Sequence, residues 1–133
     1  MAICEGSSLP VAVHITSASP HEITLAENTI DERLIRHIPH ILVGDRAYDS
    51  DPHDAKLRKR HIQLIAPHRG NRRRPQTQDG RPLRRYRRRW KIERLNAWLQ
   101  NNRRLVTRYE RNPDNFLGFI QLACMRILLK NYF

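Results

Sequence analysis

Residues 40–51 read HILVGDRAYDSD. The stretch is apolar through Val43 and closes on Gly44-Asp45. A short, continuous apolar run of this kind predicts a strand buried on both faces, in the manner of a parallel sheet. Downstream, Asp51-Pro52 opens a helix that continues to about Arg60, and IQLIAP (62–67) predicts the next strand, stopped by Pro67. Ligands of such sheets collect at the carboxyl ends of the strands, where Asp45 stands. Asp49 and Asp51 fit caps or turns well. Asp45 fits a cap less well, because Arg46-Ala47-Tyr48 is not a typical helix start.

Working outward toward the amino end, MAIC predicts a strand met midway, as if the chain began inside a domain. Gly6-Ser7-Ser8 is a turn, and LPVAVHIT (9–16) alternates as a second strand. Ser19, Pro20 and Glu22 compose a capping box, so a helix is expected over roughly Pro20 to His37. Toward the other end, 68–82 lacks periodicity and is dense in Arg, Gly and Pro, which predicts an exposed basic loop. Asp79 or Gly80 then caps a long helix with Pro82 in its first turn, interrupted near Asn101-Asn102. A last, nearly all-apolar helix starts at Pro113-Asp114, with Phe116, Phe119, Ile120, Ala123 and Ile127 at core spacing. Strands alternating with helices predict one α/β domain over 1–133, a sheet flanked by helices.

The chain has 133 residues and a formal net charge of +12, divided unevenly. Met1 to Ala55 carries three cations and nine carboxylates; Lys56 to Phe133 carries 22 cations and four carboxylates. Only four of the 25 cations are lysines. Guanidinium forks hold phosphate bidentately, so nucleic acid is the expected partner. Nine arginines (Arg69, Arg72, Arg73, Arg74, Arg81, Arg84, Arg85, Arg87, Arg88) fall within twenty residues and repel one another without a polyanion. Cys4 and Cys124 read as buried core thiols in a reducing cytoplasm, and nothing suggests a disulfide framework or a zinc set. FLGFIQLACMRILL (116–129) is too short and too interrupted to span a bilayer and reads as a buried helix. His68 is expected to contact phosphate or solvent, and Trp90 and Trp98 to pack in the core.

Glu93 interrupts the arginine run RRYRRRWKIERLNAWLQNNRR (84–104). On a continuous helix Tyr86, Glu93 and Gln100 lie seven apart and drift only about 20° per step. Glu93 would share its face with Trp90, Ala97 and Arg89, off the purely solvated side. One reading is a structural carboxylate paired with Arg89. The other has Asp45 and Glu93 converge as a hard-oxygen site for Mg²⁺ or Mn²⁺. With a basic loop to hold DNA, two-metal phosphoryl transfer is the chemistry that follows.

ILVGDRAYDSD (41–51) followed by YRRRWKIERLNAWLQNNRRLVTRYE (86–110) resembles the catalytic core of bacterial insertion-sequence DDE transposases, closest to the fourth and fifth insertion-sequence families. SLPVAVHITSASPHE (8–22) and APHRGNRRRPQTQDGRPLRRYRRRW (66–90) are similar to further family stretches, so the resemblance covers nearly the whole chain. It implies a ribonuclease-H-like mixed sheet, here N-terminally incomplete, because the family carries a DNA-binding region before this core. It implies two Mg²⁺ (or Mn²⁺) ions on an Asp-Asp-Glu triad, with Asp45 as the second aspartate and Glu93 as the glutamate. The first position falls on Glu5, one methylene longer than aspartate. The family's Tyr-Arg-Glu-Lys signature falls on Tyr86, Arg89 and Glu93, with Gln100 in place of the lysine. The implied partner is double-stranded DNA at transposon ends, touched by Arg72, Arg73, Arg74, Arg84, Arg85, Arg88, Arg89, Tyr86 and Gln100. A homodimer or an upstream-frame protein is the implied protein partner, with no membrane, in a bacterial cytoplasm. The expected function is metal-dependent DNA strand cleavage and transfer; the alternative is a decayed or partial transposase that binds DNA without cutting it.

Overall fold

A computed structural model of the chain describes residues 1–17, 19–77 and 80–132. The chain forms two compact units: Met1–Arg36 with Trp90–Phe133, and His37–Arg89.

The first unit opens with strands β1 (Ala2–Cys4) and β2 (Pro10–Val13), paired antiparallel with an irregularity between Ile3 and Cys4. The turn between them falls at Gly6-Ser7-Ser8 as the sequence predicts, and Ser8 adopts a left-handed φ of 69°. Strand β2 is buried along its length but is shorter than the predicted 9–16. Just past it, His14 still exchanges backbone hydrogen bonds with Met1, and its Nδ1 meets Glu32 Oε1 at 2.8 Å.

Helix α1 (Glu22–Asp31) starts later and ends earlier than predicted. The capping box on Ser19 does not form. His21 is the cap instead: its Nδ1 accepts from the Ile23 N–H, and its carbonyl accepts from the Thr24 N–H and hydroxyl. The helix stops before His37 because the chain beyond it joins β2. The Leu34 N–H donates to the Val11 carbonyl at 2.7 Å, and Arg33 bridges to Ala12. A sheet hydrogen bond thus satisfies a backbone donor that the helix would have used.

Helices α4 (Trp90–Gln100), α5 (Arg103–Val106) and α6 (Pro113–Tyr132) complete this unit. Leu95 of α4 and Ile127 of α6 close on Leu9, with Ala2, Cys4, Ile92, Trp98, Leu99 and Leu128 packed around them. The predicted break at Asn101-Asn102 is present, and Asn102 Nδ2 donates to the Leu99 carbonyl there. Helix α6 is not buried all round. Ala123, Cys124 and Ile127 are enclosed, Phe116, Phe119 and Ile120 are half-buried, and Leu122, Met125 and Leu129 are exposed. It is a one-sided surface helix, its apolar residues exceeding what one face can bury. Both cysteines are free; burial pushes the Cys124 thiol up to about 11 and raises Cys4 as well. No helix among the described residues is long and apolar enough to cross a membrane.

The second unit is a β-α-β element: β3 (Ile41–Val43), α2 (Asp51–Lys59) and β4 (Gln63–Ile65). The strands pair in parallel, Ile41 opposite Gln63 and Val43 opposite Ile65, as the apolar run predicts. Burial of β3 on both faces is not found. Ile41 and Val43 are exposed, whereas Leu64 and Ile65 of β4 are enclosed with Ile62 and Leu57. Among the described residues this sheet has two strands, and α2 packs on β4, so β3 lacks the second covering layer.

The long helix predicted from Gly80 is instead a short α3 (Gly80–Leu83), then a 3₁₀ segment over Arg84–Arg88. The alternative cap, Asp79, lies outside the described residues. Four arginines in five residues, all exposed, offer little apolar surface to anchor an α-helix and repel across the turn.

Candidate catalytic and nucleic-acid site

In the second unit, β3 delivers the chain to Gly44, whose N–H donates to the Ile65 carbonyl at 3.0 Å. A Cβ at Gly44 would lie 2.9 Å from the Tyr48 ring, so glycine lets that ring close over the strand end. Asp45 follows with extended backbone and caps the 3₁₀ turn Arg46–Tyr48: its Oδ1 accepts from the Ala47 N–H at 2.8 Å. The sequence argues against a capping role for Asp45; the structure corrects this, since a single 3₁₀ turn needs only that one side-chain acceptor. The other oxygen, Oδ2, faces Arg89 at 3.9 Å, and the side chain is 40% exposed. Arg89 in turn lies over the Tyr86 ring, 5.9 Å from its centroid. Asp45, Arg89 and Tyr86, three expected site residues, are therefore brought together.

Behind this turn lies a cluster that sequence reasoning missed. Asp49 is 6% exposed and accepts from three donors: His68 Nδ1 at 2.9 Å, Arg72 at 2.9 Å and the Arg69 N–H at 2.7 Å. Burial pushes its carboxyl up, but the Arg69 N–H, His68 and Arg72 outweigh this and hold it below the usual carboxylate value. His68 Nε2 accepts from the Thr77 N–H at 3.2 Å, so Nδ1 carries the proton given to Asp49. Sequence reading expects His68 to contact phosphate or solvent; its side chain, 11% exposed, instead ties the loop to Asp49 and to the Thr77 N–H. Arg72 also reaches Asp51 at 2.8 Å, and Arg74 reaches it at 3.2 Å, lowering the Asp51 pKa. The basic loop thus carries part of its counter-charge within the fold. Arg73, Arg84, Arg85, Arg87 and Arg88 remain exposed. The signal was available in the sequence: a second aspartate four residues past Asp45, read only as a turn former.

In the first unit, Glu5 is exposed on the turn between β1 and β2, where its N–H donates to the Leu9 carbonyl at 3.0 Å. Helix α4 holds that turn. Lys91 Nζ donates to the Gly6 carbonyl, and Arg94 donates to Ser8 Oγ at 2.9 Å and the Ser7 carbonyl at 2.8 Å. Arg94 lies between Trp90 and Trp98, at 4.9 and 5.1 Å from their rings. The spacing Trp-x₃-Arg-x₃-Trp on one helix face carries this sandwich in plain view. Trp90 is 49% exposed, so its predicted place in the core is not found; Trp98 alone joins it. Glu93 follows Ile92 in the first turn of α4 and is exposed, as are Ala97 and Gln100. The stripe expected to be partly enclosed is on the solvated face. The seven-residue spacing from Tyr86 does not carry through either, because the 3₁₀ segment precedes α4.

For a divalent cation the donor chemistry is suitable. Asp45 in the second unit, its side chain 40% exposed, and Glu5 and Glu93 in the first, both exposed, are hard oxygen donors of the kind Mg²⁺ takes. Within neither unit do three His, Cys, Asp or Glu side chains gather among the described residues.

The second unit thus has a carboxylate at the end of a parallel strand, an arginine 3.9 Å from it that lies over a tyrosine ring, and an exposed run of guanidinium groups. The chain matches the Transposase DDE domain family over residues 1–128, and it belongs to that family. It is 32% identical, over 133 residues, to a Burkholderia cepacia protein described as "Putative transposase for insertion sequence element IS402". That similarity covers 94% of this chain and 59% of the relative, so the chain spans somewhat more than half of that protein's length. No solved structure matches the chain significantly.

Proposed function

We propose that the chain is the catalytic part of an insertion-sequence transposase, built on a ribonuclease-H-like sheet and acting on double-stranded DNA at transposon ends. The observation that carries the reading is Asp45: its Oδ1 is fixed by the Ala47 N–H, while Oδ2 lies 3.9 Å from Arg89, which covers the Tyr86 ring, and the side chain is 40% exposed. Asp45, Glu93 and Glu5 are the carboxylates that would hold two Mg²⁺ or Mn²⁺ ions. Such ions, when bound, supply an activated water or 3′-hydroxyl and offset charge on the phosphodiester. Arg89, moored near Asp45, orients a DNA phosphate. Arg73, Arg84, Arg85, Arg87 and Arg88 bind the DNA backbone without reading sequence. Gln100 adds a neutral hydrogen bond where a cation would add charge. Arg72 and Arg74 contribute mainly by ordering the loop. A homodimer or an upstream-frame partner completes the assembly. The second reading, DNA binding without cleavage, draws on Glu5, since one extra methylene exceeds the roughly half-ångström tolerance of a reacting site.

Nicking of supercoiled DNA in Mg²⁺ and in Mn²⁺ tests both. The catalytic reading expects nicking that is lost in Asp45→Ala and in Glu93→Ala with DNA binding retained. Nicking by Glu5→Asp alone supports the decayed enzyme. Nicking that survives Asp45→Ala would sink the assignment of the site.

A further inference from the structure

We infer that Arg69 is a positioning residue for Asp45: its guanidinium ties down the two carbonyls of the turn that Asp45 caps, and Asp49 ties down its backbone. Arg69 Nε donates to the Arg46 carbonyl at 3.1 Å, and a terminal nitrogen donates to the Ala47 carbonyl at 2.8 Å. These are carbonyls of the 3₁₀ turn Arg46–Tyr48, whose amino end is capped by Asp45. A one-turn 3₁₀ helix has too few internal hydrogen bonds to hold itself. Here each end is held from outside, by the Asp45 carboxylate at one end and the Arg69 fork at the other.

The anchor of that fork is itself anchored. The Arg69 N–H donates to Asp49 Oδ2 at 2.7 Å, and Asp49 is the residue that ends the same turn. The opposite oxygen of Asp49 takes His68 and Arg72, which fix the chain on both sides of Arg69. The loop after β4 is thereby bolted to the turn after β3, the two loops that leave the carboxyl ends of a parallel pair. The consequence for chemistry is orientation. Asp45 has one oxygen committed to Ala47, so rotation of the turn would move the other oxygen with it. Holding the turn at both ends presets that oxygen before any cation arrives, and outer partners of this kind commonly tune metal affinity by about 10–100-fold. Arg69 is exposed and sits in an arginine-dense loop, so the competing role for it is a direct phosphate contact.

The inference rests on Asp45 being a metal ligand, and the test separates the two. Mn²⁺ binding to the full chain is followed by loss of the free-ion electron paramagnetic resonance signal. DNA affinity is measured over a salt series, and far-UV circular dichroism reports the fold. The expected results are loss of Mn²⁺ affinity in Asp45→Asn and about a tenfold loss in Arg69→Gln, with DNA affinity and salt slope unchanged. Arg69→Lys, able to reach one carbonyl, falls between. Arg73→Gln behaves oppositely, losing DNA affinity and keeping Mn²⁺. If Arg69→Gln does not fold, the lysine variant decides alone. Parental Mn²⁺ binding in the Arg69 variants, with weaker DNA binding and a shallower salt slope, makes Arg69 a phosphate contact and overturns the inference. Parental Mn²⁺ binding in Asp45→Asn overturns the ligand assignment and the inference together.

Discussion

At the scale of the residue, Asp49 shows how environment sets a role that identity does not. An aspartate in a turn-forming context caps and solvates; here it is buried and takes three donors. Its carboxyl is held below the usual value of 3.8, so the folded state binds its proton less readily than the unfolded chain. The sign follows: the stabilisation is complete above the unfolded value and is lost as pH falls through the lowered folded value. Urea midpoints measured against pH are expected to fall below about pH 4, and Asp49→Asn is expected to flatten that acid limb. An acid limb unchanged by the substitution would remove Asp49 from the account. Asp45 and Glu93 were legible as candidates because carboxylates are rare in the arginine-rich stretch and at the ends of apolar strands. The Asp49–His68–Arg72 cluster was not legible, since its members lie up to 23 residues apart and meet only through the loop's return.

At the scale of the element, the parallel pair β3–β4 and the helix α2 came directly from the apolar runs and the Asp-Pro start. Element ends were harder. Helix α1 lost its predicted last turns because Leu34 found a sheet acceptor in Val11, a competition between elements that a local pattern does not contain. The arginine segment lost its α-helical form because it had no apolar face to bury. The turn after β3 depends on Gly44, and here the prediction is steric. A methyl group 2.9 Å from Tyr48 Cγ and Cδ2 meets the root of the ring rather than its tip, so backbone or ring must shift. Gly44→Ala is expected to destabilise the fold by about 1–3 kcal/mol in urea unfolding, as overpacking does. Tyr48→Ala in the same background should recover part of that stability by clearing the ring; no recovery would mean the strain lies elsewhere.

At the scale of the whole molecule, a net charge of +12 is held mostly in the second half of the sequence. Pairing of the largely enclosed Arg72 with Asp49 and Asp51 subtracts that cation from the surface field, while Arg74 reaches Asp51 from the surface. The arginines of the 3₁₀ segment remain exposed, and the proposed function gives them the DNA backbone as partner. Replacing Arg84, Arg85, Arg87 and Arg88 together by glutamine is expected to flatten the slope of log affinity against log salt by about 0.9 for each phosphate no longer neutralised. The Arg72→Gln variant should change that slope little and lower stability instead. A large slope change in Arg72→Gln would mean that its carboxylate partners release it to DNA.

What the sequence determined by itself is what local chemistry and periodicity carry: the parallel β-α-β element, the turn at Gly6-Ser7-Ser8, the break at Asn101-Asn102, the charge division, and the transposase family. Each depends on neighbours in the chain, on side-chain alternation or on composition. Only the tertiary structure decided that Asp45 caps a turn, that β3 and one face of α6 stay exposed, that Trp90 lies at the surface, and that His68 and Arg72 turn inward to Asp49. These outcomes depend on which groups from distant segments arrive within hydrogen-bonding distance, and a buried carboxylate recruits whatever donors the returning chain supplies.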